Sequence, residues 1–427
     1  ERLLRDLLDI PAASCDLQER CDNSPEQHAA ATQPEPGQQP APQTGKRPTD
    51  HIRYAAQTVP KGVKTEFSLA AAMLVRKVLE TATAGGEEHQ QAREDFMWFP
   101  YRVLSNTNGS HRRGAKVLGN LKRLKEGSLP DPEPLSATNR RATEHRIAKQ
   151  VHKHLKNGNI TRAARAMEEA EIAELTTETR EKLRELHPDA EPPPDTNIPN
   201  TIPVQVSKVK LTKIVKRLTK GSAPGPSAWT FEHIQAIHFG SHEGADAIFQ
   251  LVNAGLTGSL PDWEDIRACR LIPLLKKNGG IRPIAIGEVW ARLMSMCAMA
   301  ECDNLGAGLA PLQVGVGIKG AAQCLGHAIM AGIMEHSNHV TVQVDFKNAF
   351  NTVCRAAMIK AVIKHAPQLL RFVMWMYKHA SPLWIAGSPE PIWSKRGVRQ
   401  GDPLGPLLFA LTLQDVLHAV AYWNEDV

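Results

Sequence analysis

Between Leu186 and Val204 runs LHPDAEPPPDTNIPNTIP, six prolines in eighteen residues. Proline lacks a backbone donor and pushes the residue before it toward extended conformations, so neither a helix nor a central strand crosses this stretch. It divides the chain into two different textures. Before it, Glu66 to Thr81 and Thr138 to Leu186 read as helix, the latter with Ile147, Val151, Leu155, Ala163, Ala166 and Met167 at three- and four-residue spacing. After it, short apolar strands alternate with helical runs. Further upstream, Asn23 to Asp50 is rich in Pro, Gln and Ala and nearly free of large apolar residues, a composition that cannot offset chain entropy. The expected organisation is a largely disordered tail over 1–55, a helical N-terminal extension over 56–186, a Pro-rich linker over 187–204 and a mixed α+β region over 205–427.

No apolar run is long enough to cross a bilayer. The formal charge of +6, from 51 Lys+Arg against 45 Asp+Glu, is mild for a nucleic-acid protein, so its distribution matters more than its sum. Two runs stand out: Lys208, Lys210, Lys213, Lys216, Arg217 and Lys220, and Arg112, Arg113, Lys116, Lys122, Arg123 and Lys125. Solvated helix faces are the ordinary reading of both. Seven cysteines without a CxxC pair exclude a zinc module and point to reduced thiols. The aromatics of FMWFPYRVL, Phe96 to Leu104, read as core rather than as a platform for bases.

Ser207 is placed to cap a helix that buries Leu211, Ile214, Val215 and Leu218 and that stops at GSAPGP, Gly221 to Pro226. In RLIPLLKKNGGIRPI, Arg270 to Ile284, two strands flank an Asn278-Gly279 turn, the signature of a hairpin with Lys276, Lys277 and Arg282 near its tip. In VTVQVDFKNAF, Val340 to Phe350, period-two alternation predicts a strand with Val340, Val342 and Val344 on one face and Asp345 at its polar end. A carboxylate so placed suits a hard cation such as Mg²⁺; the plainer alternative is a cap on the next helix. RGVRQGDPLGPLLFALTL, Arg396 to Leu413, is a Gly/Pro-rich loop feeding an apolar helix, with Gln400 and Gly401 able to approach a planar ligand closely.

The order of these blocks resembles a reverse transcriptase of a non-LTR, LINE-like retrotransposon. GSAPGPSAW is similar to the first block of that family, RLIPLLKKNGGIRPIAIGEVWARL to its fingers block, PLQVGVGIKGAAQCLGHAI to the block that follows, VQVDFKNAFNTVCR to the palm block and GVRQGDPLGPLLFAL to the nucleotide-contacting block. The resemblance covers about half the chain. It implies a right-hand polymerase of which fingers and partial palm are present. It also implies two Mg²⁺ ions, an RNA template, a DNA primer or target, deoxynucleoside triphosphates and a nuclear location.

Carried onto this chain, the resemblance makes Asp345 the first catalytic carboxylate, with the carbonyl of Phe346 also reaching the metal. Phe350 is the bulky side chain that rejects a ribose 2′-hydroxyl, Gln400 and Gly401 contact the nucleotide, and Arg282 with Lys276 or Lys277 holds its phosphates. Arg112, Arg113, Lys122, Arg123 and Arg399 are candidate nucleic-acid contacts, and NGNITRAARAMEEAE, Asn157 to Glu171, resembles a segment that precedes such polymerases.

The family's Tyr-x-Asp-Asp strand has one superficial counterpart, Tyr422 to Val427. Leu407 to Trp423 reads as one helix, which leaves no room for a new strand before Tyr422. The expectation is therefore a fragment that ends before the second catalytic motif and is inactive alone. The alternatives are a degraded or domesticated nucleic-acid-binding relic and an RNA-dependent RNA polymerase, against which Phe350 and the RQGDP loop argue.

Overall fold

The computed structural model describes residues 58–105, 112–129, 152, 172–196, 200–276, 278–336, 338, 340 and 342–422. The expected tail, nearly all of the helical run from Thr138 to Glu171, the upstream segment Asn157 to Glu171 and Lys277 lie outside them. In chain order the elements are α1 (Lys64–Thr81), α2 (Gly86–Leu104), α3 (Arg113–Lys125), α4 (Thr177–Glu185), α5 (Lys208–Arg217), α6 (Phe231–His238), α7 (His242–Leu256), α8 (Glu264–Arg267), β1 (Cys269–Leu275), β2 (Ile281–Gly287), α9 (Val289–Glu301) and α10 (Asp303–Ala307). They continue with α11 (Ala321–Glu335), α12 (Ala349–Thr352), α13 (Arg355–His365), α14 (Leu370–Tyr377), β3 (Ser381–Trp384), β4 (Ile392–Ser394) and α15 (Gly405–Tyr422). The mixed α+β class matches the expectation, and no described helix is long and apolar enough to cross a membrane.

The helices follow the apolar periodicity. In α1, Phe67, Ala70, Ala71, Leu74, Val75 and Val78 return every three or four residues and all are buried. In α2, Phe96, Phe99 and Val103 do the same, and they meet the aromatic side chains of the second half of the chain. Phe96 lies 5.3 Å from Trp229, 5.1 Å from Trp290 and 6.0 Å from Trp263, ring centre to ring centre. The Trp229 indole N–H donates to the Phe96 carbonyl at 3.1 Å. Each such ring pair adds about 0.5–1.5 kcal/mol beyond the burial of its area. FMWFPYRVL is thus core, as its composition suggests, and that core is common property: buried residues from Val59 to Val416 form one continuous cluster.

The Pro-rich stretch is tethered at several of its described residues. Asp189 and Asp195 pair with Lys395 and Lys378, Pro193 is buried, and the Val204 N–H donates to the Gln368 carbonyl at 3.0 Å. Prolines exclude regular hydrogen bonding but not packing of their rings. Just upstream, the expected helix to Leu186 is interrupted. Ile172 bridges to Leu274, the Ala173 N–H donates to the Pro273 carbonyl, and Thr176 then caps α4 by accepting from the Thr179 N–H. The Thr hydroxyl competes for backbone donors and fixes a start where apolar spacing alone reads through.

The sheet has the order β2-β1-β3-β4, with β1 antiparallel to β2, parallel to β3, and β3 antiparallel to β4. Only Cys269 and Arg270 of β1 pair with β3, so Ile172 and Ala173 cover part of the edge that the short β3 leaves open. Leu183 of α4 closes a second small core with Cys269, Leu271, Ala285, Leu383, Ile385 and Ile392.

The strand expected over Val340 to Phe346 does not form among the described residues. Val340, Val342 and Val344 are 86%, 76% and 70% exposed. The alternating pattern is present, but a strand needs a ladder partner, and no described strand lies alongside this one. The preceding α11 has no buried residue at all, and Leu325, Ile329, Met330, Ile333 and Met334 face solvent.

Candidate active site

The β1–β2 hairpin closes as its Asn-Gly signature requires. The Lys276 N–H donates to the Gly280 carbonyl at 2.7 Å, and the Gly279 N–H returns to the Lys276 carbonyl at 2.9 Å. Lys276 and Arg282 stand exposed at the tip, with Arg282 opposite Leu274 in the ladder.

At the other end of the hairpin Glu288, fully buried, precedes α9. Its Oε1 accepts from the Ser227 N–H at 2.7 Å and its Oε2 from the Ser227 hydroxyl at 2.6 Å. Burial nevertheless pushes its carboxyl up to about 7, against those two bonds. Arg292, one turn later, donates to the Ala223 carbonyl at 3.0 Å. Through these two residues the GSAPGPSAW loop is fastened to the base of the hairpin.

The Gly/Pro loop is fastened to the turn that follows Asp345. The Gly397 N–H donates to the Val353 carbonyl at 2.8 Å and the Val398 N–H to the Phe350 carbonyl at 2.7 Å. Gly397 has φ +68°, and a Cβ there would sit 2.2 Å from the Phe350 carbonyl oxygen. No other residue fits. Phe350 in turn stacks on Phe409 of α15, centroids 5.1 Å apart and planes 13° from parallel. Gly401, at φ +88°, brings the loop against β2, where the Ala285 carbonyl oxygen lies 3.0 Å from the place of a Cβ.

Beneath the loop lies a buried polar network that the sequence reading missed. The Tyr377 hydroxyl donates to Asp402 Oδ2 at 2.5 Å, and Asp402 Oδ1 accepts from the Leu404 N–H at 3.0 Å. Arg399 lies over the Tyr377 ring at 4.7 Å, donates to the Arg267 carbonyl at 3.1 Å and stands 3.6 Å from Asp402. Burial and the Asp402 carboxylate hold the Tyr377 phenol well above its ordinary range. Arg355, fully inside, donates to the carbonyls of Gly397, Tyr377, His379 and Ser394 at 3.0–3.1 Å and to the Ser394 hydroxyl, and burial pulls its guanidinium down to about 9. The signal for Asp402 was its place directly after Gly401. For Tyr377 and Arg355 nothing short of the fold gives one, because their partners are backbone carbonyls or lie 25 residues away.

The structure brings Phe350 and the 397–401 loop, which carries Gln400, together and sets Gly401 against Ala285 of β2, while Arg282 lies three residues along that strand, at the exposed tip of the hairpin. Asp345 and Phe346 lie in the exposed segment beyond, and Asp345 is not the cap of the next helix: Asn348, in the left-handed region at φ 56°, flanks α12, and its side chain donates to the Leu186 carbonyl at 2.8 Å. Arg399 is a correction. Its side chain is 5% exposed, so it supports the loop from within instead of reaching nucleic acid. Arg112, Arg113, Lys122 and Arg123 lie at or on α3, which packs on α1 and α2, and Arg113 donates to the Thr58 carbonyl. Lys122 and Arg123 are exposed.

Two Mg²⁺ ions need several convergent carboxylates. Among the described residues no three His, Cys, Asp or Glu side chains converge, so these residues alone do not fit the pair of ions. Asp345 offers one ligand.

The chain is similar to non-LTR retrotransposon proteins, in keeping with the order of its blocks. It is 30% identical over 245 residues to the retrotransposable element SLACS 132 kDa protein of Trypanosoma brucei gambiense, a match that takes in 52% of this chain and 19% of that protein. It is 36% identical over 78 residues to the retrovirus-related Pol polyprotein from the type-1 retrotransposable element R2 of Nasonia vitripennis, or 17% of this chain and 8% of that one. The chain therefore spans about a fifth or less of the curated relatives it matches. No protein-family model matches it.

Proposed function

We propose that the chain contributes the fingers and the first part of the palm of an RNA-directed DNA polymerase that copies retrotransposon RNA in the nucleus. The observation that carries this reading is the joint between the glycine-bearing loop and the turn that follows Asp345. Gly397 and Val398 are bonded to Val353 and Phe350, while Gly401 rests on β2. In this reading Arg282, with Lys276 or Lys277, binds phosphates from the tip of the hairpin, the Phe350 ring excludes a 2′-hydroxyl, and Gln400 and Gly401 offer an edge to a base. Asp345, with the Phe346 carbonyl, would offer one carboxylate toward Mg²⁺, and the further ligands that such ions need would come from outside the described residues. The chain's own part is to orient the triphosphate, shape the sugar pocket and supply the first carboxylate.

A polypeptide of residues 1–427 alone, with Asp345 unaccompanied, is inactive in this reading. Primer extension on an RNA template tests it. Residues 1–427 incorporate no deoxynucleotide, whereas a longer polypeptide that carries the sequence in its own gene context does, and Asp345→Ala abolishes that activity. Incorporation by 1–427 that depends on Asp345 refutes the inactivity. A longer polypeptide indifferent to Asp345→Ala refutes the polymerase reading and leaves the non-catalytic nucleic-acid-binding relic, which the isolation of Asp345 among described acids favours.

A further inference from the structure

The basic run beginning at Lys208 has no part in the site above, yet the fold sorts it into two groups. The Lys208 amine pairs with Asp246 at 2.7 Å and the Lys210 amine with Glu301 at 3.1 Å, so both are neutralised by neighbouring helices. Lys213, Lys216, Arg217 and Lys220 are exposed, with no ion pair among the described residues. At 3.6 residues per turn the first three share the outer face of α5, opposite the buried Leu211 and Val215. Lys220 extends that cluster into the following turn. From Ser207 to Gly221 there is no acid, and Glu232 of α6, which reaches the turn after α5, accepts at Oε1 from the Gly221 N–H at 2.7 Å.

An ordinary solvated helix face mixes signs; this one does not. It is also bordered by an exposed aromatic ring. His238 Nε2 lies 3.0 Å from the Thr212 hydroxyl, beside Lys216 on α5, and the next residue, Phe239, is 56% exposed with its ring edge-on to His238 at 4.9 Å. The Gln235 side chain donates to the Val215 and Leu218 carbonyls, which locks α6 to the end of α5 and fixes the ring relative to the cations. Cations that track a backbone beside a ring that stacks a base are the composition of a single-strand groove.

We infer that the outer face of α5, with Phe239, is a binding surface for single-stranded RNA, separate from the nucleotide site. The choice of RNA over DNA rests on the polymerase reading, in which RNA is the strand copied. The single-strand geometry rests on the cations and the ring alone.

Fluorescence anisotropy of residues 1–427 with a labelled 20-nucleotide oligouridine tests it across a salt series. Single-strand binding loses about 0.7 unit of log-log salt slope per cation removed, so the variant carrying Gln at positions 213, 216, 217 and 220 is expected to lose roughly 3 units, which is about a hundredfold in affinity at ~0.2 M salt and more at lower salt. Phe239→Ala is expected to lose about tenfold with the slope unchanged, because stacking is not ionic. Arg at the three lysine positions restores both. All five side chains are exposed, so unchanged thermal melts separate loss of contact from loss of fold.

The inference is overturned if the Gln variant keeps its affinity and slope, if Phe239→Ala binds as before, or if duplex RNA or deoxyuridine of the same length binds as tightly. Asp345→Ala leaves RNA binding intact in this view, whereas it removes extension in the polymerase reading; the two readings therefore fail by different measurements.

Discussion

Glu288 makes the stability of this fold depend on pH in a direction opposite to that of most carboxylates. Its carboxyl is raised by burial from an ordinary 4.5 to about 7, with Asp265 adding to the rise and the two Ser227 bonds and Arg292 opposing it. The folded state therefore holds this proton longer than the unfolded state does. The contribution is fully present below about pH 4.5 and is lost as pH rises through about 7. At about 1.36 kcal/mol per pKa unit, the full swing is about 3 kcal/mol. Glu288→Gln keeps the shape and an acceptor for the Ser227 N–H but cannot titrate. Urea denaturation of both proteins at half-unit steps from pH 4 to 8 isolates the effect as a difference, since every other group is common to both. Relative to wild type, the Gln variant is expected to gain steadily up to pH 7 and then level off. A constant difference over that interval, or one that shrinks as pH rises, refutes burial as the dominant influence on this carboxylate.

Three further outcomes follow from the same structure. Arg355→Met deletes five hydrogen bonds and leaves buried carbonyls unpaired, so thermal or chemical denaturation is expected to show a loss of about 3 kcal/mol or more. Gly397→Ala drives a methyl into the Phe350 carbonyl and strains a positive φ. It is expected to cost about 2 kcal/mol and to free the 397–401 loop for proteolysis, which mass spectrometry of limited digests locates. Met330→Glu together with Met334→Glu on α11 is expected to lower binding of a hydrophobic dye and raise solubility without lowering the melting temperature, because neither side chain is packed.

Elements whose determinants are local were legible in the sequence: the Asn278-Gly279 hairpin, the Ser207 cap with Leu211 and Val215 beneath it, and the apolar run of α15. Failure came where partners are remote. The valine alternation at 340–344 specifies a face but not a neighbour, and among the described residues no neighbouring strand is there to make a ladder. Proline density at 188–203 marked a break in hydrogen bonding, and it does not report the buried ring of Pro193 or the ion pairs that tie Asp189 and Asp195 to Lys395 and Lys378. Arg399 reads as an available cation in a loop, and only the fold sets Tyr377, Asp402 and the Arg267 carbonyl around it. The candidate site divides the same way: Phe350, Gln400, Gly401 and Arg282 came from motif order, while Tyr377, Asp402, Arg355 and Glu288 depend on tertiary contacts.

The core shared between α1, α2 and the residues after Val204 also bears on how the chain reaches its fold. The Ser68 hydroxyl bonds to the Ile237 carbonyl across 169 residues, and Phe96 accepts from Trp229 across 133. Contacts of that separation carry the full loop-closure entropy before any burial offsets it, which slows folding. On a ribosome, α1 and α2 emerge with their apolar faces uncovered and remain so until α6 and α7 have been made, at about 5–20 residues per second a wait of roughly ten seconds or more. For that interval the helices that later enclose Trp229 are a surface for chaperones to hold.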